Sequence, residues 1–134
     1  MKVFIDTNIL ISAMLFKNSK VYDAYEKIVQ DCECYISENT IAEIKNVFNK
    51  KFQDKINMIE VFITMTLKTV KLVKDIEESY PLEKTIRDPK DIYIYRNAKY
   101  LKCDAIISGD KDFLGNSKLD IKIISPNEYL KNYQ

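Results

Sequence analysis

Two apolar runs in this chain each stop on an aspartate: Val3-Phe4-Ile5-Asp6-Thr7-Asn8 near the start and Ala105-Ile106-Ile107-Ser108-Gly109-Asp110 near the end. Continuous apolar runs of this kind are typical of strands buried on both faces of a parallel sheet. In open α/β sheets, ligands bind outside the carboxyl ends of the strands. Both aspartates therefore fall where such folds do chemistry. If the two strands are neighbours, Asp6 and Asp110 lie side by side. Two more acids, Glu43 and Asp91, fall in helical stretches between them. The chain has no histidine, so catalysis would fall to carboxylates, lysines, hydroxyls or thiols. Clustered carboxylates repel one another and normally need a cation between them. Oxygen-only ligands suit Mg²⁺ or Mn²⁺, and magnesium commonly bridges carboxylates to substrate phosphate. The chemistry expected of such a set is metal-dependent hydrolysis of a phosphate ester. The ion would lower the pKa of bound water and stabilise an in-line displacement at phosphorus.

Each acid also has a reading without chemistry. Asp6 could cap a helix, a role open equally to Thr7 and Asn8. Glu43 could be a solvated helix acid. Asp91 could favour the helix dipole from a first turn, and Asp110 could be a turn residue in Ser108-Gly109-Asp110-Lys111-Asp112. Singly, these readings suffice for Glu43 and Asp91. They do not explain why both strand ends are acidic in a chain with no histidine to do the work.

The elements that must position these acids alternate along the chain. Lys2–Ile5, Cys34–Ser37, Val70–Val73, Ala105–Ser108 and Ile121–Ile124 read as strands. Asn8–Phe16 and Lys20–Gln30 read as helices, the second with Val21, Ala24, Tyr25 and Ile28 on one face. Ser37-Glu38-Asn39 leads into another, with Ile41, Ile44, Val47, Phe48 and Phe52 at helical spacing. Residues Ile56–Leu67 and Asp91–Leu101 are helical. Glu77–Arg87, containing Pro81, reads as loop. Ser125-Pro126-Asn127 opens a last helix, where proline is tolerated in the first turn. The pattern predicts a three-layer α/β/α sandwich around a mostly parallel five-stranded sheet. The only glycines, Gly109 and Gly115, flank the Asp110 region. With no glycine-rich stretch, a phosphate-binding P-loop and a dinucleotide fingerprint are excluded.

Composition narrows the field further. A chain of 134 residues, 46% hydrophobic and 31% charged, is of the size and balance of one globular domain, spanning 1–134. The net charge of +1 excludes a broadly basic nucleic-acid clamp. Any nucleic-acid contact must rest on a local patch, for which Lys90, Lys99 and Lys111, with Lys45, Lys50 and Lys51 further off, are the candidates. Three cysteines (Cys32, Cys34, Cys103) without histidine give neither a disulfide framework nor a zinc site. They read as buried or half-buried thiols in a reducing cytosol, so a cytoplasmic location is expected. Asp6 and Asn8 interrupt the apolar start and argue against a signal peptide. No apolar stretch reaches the roughly 18 residues of a membrane span.

Four segments together resemble the PIN-domain nucleases. Phe4-Ile5-Asp6-Thr7-Asn8-Ile9-Leu10-Ile11-Ser12-Ala13 resembles the start of that family, and Ser37-Glu38-Asn39-Thr40-Ile41-Ala42-Glu43-Ile44 its second motif. Arg87-Asp88-Pro89-Lys90-Asp91 and the helix to Ala98 resemble the third, and Ile107-Ser108-Gly109-Asp110-Lys111-Asp112-Phe113 the fourth. They occur in the right order. The segments most resemble those of the stand-alone toxins of prokaryotic toxin–antitoxin pairs, similar to VapC. The resemblance implies a Mg²⁺- or Mn²⁺-dependent ribonuclease acting on single-stranded RNA, often a homodimer, with a small antitoxin protein as a possible partner. By motif match Asp6, Glu43, Asp91 and Asp110 inherit metal-binding carboxylate roles. Asn8 and Ser108 match supporting polar positions, and Asp112 matches an extra acid of many members. Where relatives often carry consecutive acids, this chain has Lys90, which leaves the choice of third ligand between Asp88 and Asp91; the position of Asp91 at the helix start favours it.

Two other functions compete. Phosphatases of the haloacid dehalogenase type also begin with a strand ending on aspartate, but need a second aspartate where this chain has Asn8. A degenerate PIN fold that only binds RNA or a partner is the non-enzymatic alternative. Finally, Ile56–Leu67 carries more apolar residues than one buried stripe requires, which predicts self-association through that helix unless its neighbours cover both sides.

Overall fold

A computed structural model describes residues 1–133. Five parallel strands, β1 (Lys2–Ile5), β2 (Glu33–Ser37), β3 (Val70–Val73), β4 (Ala105–Ile107) and β5 (Lys122–Ile124), form one sheet in the order β3-β2-β1-β4-β5. Helices α1 (Thr7–Leu15), α2 (Lys20–Asp31), α3 (Glu38–Lys51), α4 (Ile56–Thr66), α5 (Pro89–Tyr100), α6 (Lys111–Leu114) and α7 (Pro126–Asn132) connect and flank them.

Strand residues alternate between the two faces. Val3, Ile5, Cys34, Ile36, Ala105 and Ile107 point into one apolar layer with α1, α2, α3, α4 and α7. Phe4, Tyr35 and Ile106 point into the other, against Ile94, Tyr95 and Ala98 of α5 and Phe113 of α6. The expected three-layer sandwich is therefore what the chain forms, with a sheet that is parallel throughout. Among the described residues no helix is long and apolar enough to cross a membrane.

Two regions depart from the sequence reading. The stretch expected to be loop contains a 3-10 helix over Pro81–Thr85, and a four-residue helix, α6, follows Asp110. The first is clamped to α5. Arg96 donates from Nε to Glu83 Oε2 at 3.0 Å and from Nη2 to Oε1 at 2.7 Å, and the Tyr80 N–H donates to Oε2 at 2.8 Å. The hydrogen bond from Arg96 is the main cause holding the Glu83 carboxyl below its ordinary value of 4.5. A lowered folded-state pKa contributes stability above the unfolded value, lost as pH falls through the folded one. Glu83→Gln is thus expected to cost about 2 kcal/mol at pH 7, the scale of hydrogen bonds to a charged group. The gap from the unsubstituted chain should close below pH 4.5. Melting curves of both chains across that range check it.

A second tie joins the two helices that carry candidate acids. Asp75 accepts from the Asn39 backbone N–H in the first turn of α3 and from Asn97 Nδ2 in α5, both at 2.9 Å. Asn97, fully buried, also accepts from the Ile76 N–H at 2.9 Å.

Candidate active site

The site grows out of the pairing of β1 with β4. Register places Ile5 opposite Ile107, and the Asp6 N–H donates to the Ile107 carbonyl at 2.9 Å. Asp6 and Ser108 thus leave the sheet together. Asp6 stands at the N-cap of α1, but its side chain does not cap that helix. Its carboxylate accepts from Ser108 Oγ at 2.8 Å instead, and the same hydroxyl accepts from the Asp110 N–H at 3.1 Å. One buried serine therefore fixes the spacing of both strand-end aspartates. Asp110 does cap its short helix, through Oδ1 to the Asp112 N–H at 2.9 Å.

Asp6, Glu43, Asp91 and Asp110 line one cavity of about 340 Å³ at this carboxyl edge, together with Asn8 and Asp88. Ile11, Val47, Phe52 and Ile94 give it an apolar wall. Asp88 and Asp91 are separated by their backbone positions. Asp88 is the exposed N-cap of α5, accepting from the Lys90 N–H at 3.0 Å. Asp91, one helical turn in, is buried, and the charges of Asp110 and Asp6 act on it. Burial first, then those two charges, push its carboxyl up to about 8. Burial also raises Asp6, aided by the charges of Glu43 and Asp110 and opposed by the Ser108 hydrogen bond. Asp112 lies outside the lining and faces Arg87, with Oδ1 3.8 Å from Nη1.

A tyrosine that no motif pointed to holds Glu43. Tyr93 Oη donates to Glu43 Oε1 at 2.8 Å, Thr7 Oγ1 reaches the same oxygen at 3.2 Å, and the two hydroxyls are 3.1 Å apart. Burial raises the Tyr93 phenol, so it remains a donor. Glu43 Oε2 accepts no hydrogen bond within the described residues. The sequence signal was faint: a tyrosine two residues past Asp91, packed at the margin of the apolar cluster that α5 forms.

The donor set fits a hard divalent ion. It is all oxygen, and none of the four acids forms an ion pair within the described residues. Among those residues no three acidic, thiol or imidazole side chains close into a ready cage. Magnesium keeps several waters and is commonly held by one or two carboxylates. Lys51 and Lys90 line the cavity beside the acids. Of the other lysines expected in a basic patch, Lys45 and Lys99 are drawn to Glu60 and Asp120.

Comparison with known proteins resolves the family. A model of the PIN domain matches residues 2–112. The chain belongs to the PIN domain family. No curated protein sequence matches it significantly. Among solved structures, this PIN chain is similar to one of VapBC2 from Rickettsia felis bound to a DNA fragment from their promoter. The identity is 13%, the TM-score 0.71, and coverage is 93% of this chain and 98% of that one. It is also similar to VapBC-1 from nontypeable Haemophilus influenzae, with 23% identity, a TM-score of 0.64 and coverage of 95% and 99%. At these identities the likeness speaks for the fold. A PIN assignment displaces the haloacid dehalogenase alternative, consistent with Asn8 standing where that chemistry needs an acid.

Proposed function

We propose that this chain works as a single PIN domain, 1–134, that hydrolyses phosphodiester bonds of single-stranded RNA with Mg²⁺ or Mn²⁺, as the toxin of a toxin–antitoxin pair. The observation that carries the reading is the gathering of Asp6, Glu43, Asp91 and Asp110 around one cavity at the carboxyl edge of the sheet. When bound, such an ion would supply positive charge for activating water and for offsetting the charge that builds at phosphorus. Asp6, Glu43, Asp91 and Asp110 would hold it. Ser108 fixes Asp6 and the Asp110 backbone; Thr7 and Tyr93 fix Glu43 with Oε2 available. Lys51 and Lys90 on the cavity wall draw the RNA phosphates in. Incubating the purified chain with a labelled RNA oligonucleotide tests this. Cleavage is expected in Mg²⁺ or Mn²⁺ and its loss in excess EDTA. Equal cleavage in EDTA, or none with either ion, overturns it.

The role given to Tyr93 is tested separately. Tyr93→Phe should leave the melting temperature nearly unchanged but weaken Mn²⁺ binding about tenfold, the low end for an outer partner of a ligating group. Titration followed by calorimetry reads it directly.

For partners, the likeness to chains of VapBC complexes supports an antitoxin, and the surface of α4 supports a homodimer. Ile59, Ile63 and Thr66 are buried, whereas Met58, Val61 and Met65 are 47%, 61% and 62% exposed. The monomer thus leaves the excess apolar side of this helix uncovered, and a two-fold contact is the commonest way to cover it. Light scattering should give twice the chain mass, reduced to one chain by Val61→Glu.

A further inference from the structure

We propose that a second cleft, beside the acidic cavity, seats a nucleotide of the RNA strand next to the bond being cut. The proposal rests on the nuclease reading above and adds where the strand runs. The cleft encloses about 710 Å³ and shares Asn8 and Asp110 with the acidic cavity, so those two residues form a ridge between the spaces. A polymer whose phosphate lies over Asp110 must continue to either side, and this cleft, lined by residues of α1, α2, α6 and α7 and none of α3 or α5, adjoins Asp110. Its volume lies within the range of sites for ligands of nucleotide size, roughly 300–1,000 Å³.

The lining chemistry matches a nucleotide better than a peptide helix. Ile9, Leu114 and Pro126 supply apolar surface against which a base or ribose can lie. Ser12, Asn127 and Asn8 place a hydroxyl and two amides around it, groups that bond equally to base edges and to a 2′-hydroxyl. Lys111 is exposed at the cleft and forms no ion pair within the described residues, leaving its charge for a phosphate. Asp110 is the only acid in the lining and faces the ion-binding side as well. With no aromatic residue among the described residues of the cleft, the seat lacks a stacking platform, and its preference for particular bases should be modest.

The test uses two exposed positions whose replacement spares the core. Leu114 is 40% exposed, and Asn127 is exposed at the start of α7. Leu114→Glu and Asn127→Glu each place a carboxylate where a phosphate or base would sit. Tyr100→Glu, at the last turn of α5 and 52% exposed, adds the same charge at the far end of the sheet as a control. Binding of a fluorescein-labelled single-stranded RNA 12-mer is followed by anisotropy, and kcat and KM are measured in Mg²⁺. Both cleft variants should weaken binding and raise KM about tenfold with kcat within twofold, while the control binds as the unsubstituted chain. Cleft variants that bind like the control overturn the proposal. If the chain binds RNA in this cleft-dependent way but never cleaves it, the nuclease reading fails and the cleft stands. If it binds no RNA, the cleft fails too.

Discussion

Asp6→Asn is expected to abolish RNA cleavage and, in EDTA, to raise the melting temperature. The two effects share one cause. Asp6 is buried at the end of β1, with Glu43 and Asp110 acting on it electrostatically, and its main compensation inside the protein is one hydrogen bond from Ser108. Asparagine keeps an acceptor for that hydroxyl and removes a charge that its neighbours repel. The gain should be about 1 kcal/mol, the size of a close like-charge contact in water, or about 4 °C for a domain of this size. With a divalent ion present the order reverses. The unsubstituted chain gains stability from an ion that binds only the folded state, and Asp6→Asn loses most of that gain. Cleavage should fall more than about 100-fold, since loss of an outer-shell partner alone costs up to that. Thermal melts with and without Mg²⁺, beside a cleavage assay, read all three effects. A variant that cleaves normally would remove Asp6 from the site.

The second large effect separates two neighbouring aspartates. Asp91→Asn should remove cleavage to the same degree as Asp6→Asn, because Asp91 is buried in the cavity wall with Asp6 and Asp110 acting on it. Asp88→Ala should do something different. It removes an N-cap bond to the Lys90 N–H, costing about 1 kcal/mol of stability, with cleavage reduced less than about tenfold by the looser start of α5. Melting temperature and cleavage rate, measured on both variants, should therefore move in opposite proportions. Loss of cleavage in Asp88→Ala with little change in Asp91→Asn would exchange their roles.

The fold was legible because parallel strands buried on both faces are written as unbroken apolar runs, and residues 3–5 of β1 and Ala105–Ile107 are such runs. That Asp6 and Asp110 share an edge depended on β1 and β4 being neighbours, which local patterns leave open and the observed strand order supplies. The choice between Asp88 and Asp91 did not follow, because both sit near a helix start and only the backbone decides which caps and which turns inward. Helix α6 has four residues, too few for a period to register. The Pro81–Thr85 turn is held by Arg96 from another element, a pairing invisible to local patterns. Tyr93 escaped for a similar reason. Its meaning lies in a hydroxyl triangle with residues 50 and 86 positions away.

The β1–β4 pairing also sets when the protein can become active during its synthesis. Four of the five acids lining the cavity are translated before Ala105, yet the strand that fixes Asp6, and the serine and aspartate that follow it, emerge only near the end. A nascent chain lacking β4 has no partner for the Ile5 edge of β1 on that side. Long-range parallel pairing is slow to form, so the cavity closes as a late step. Were the proposed ribonuclease activity present, the translating ribosome and its message would be spared until the chain is nearly complete.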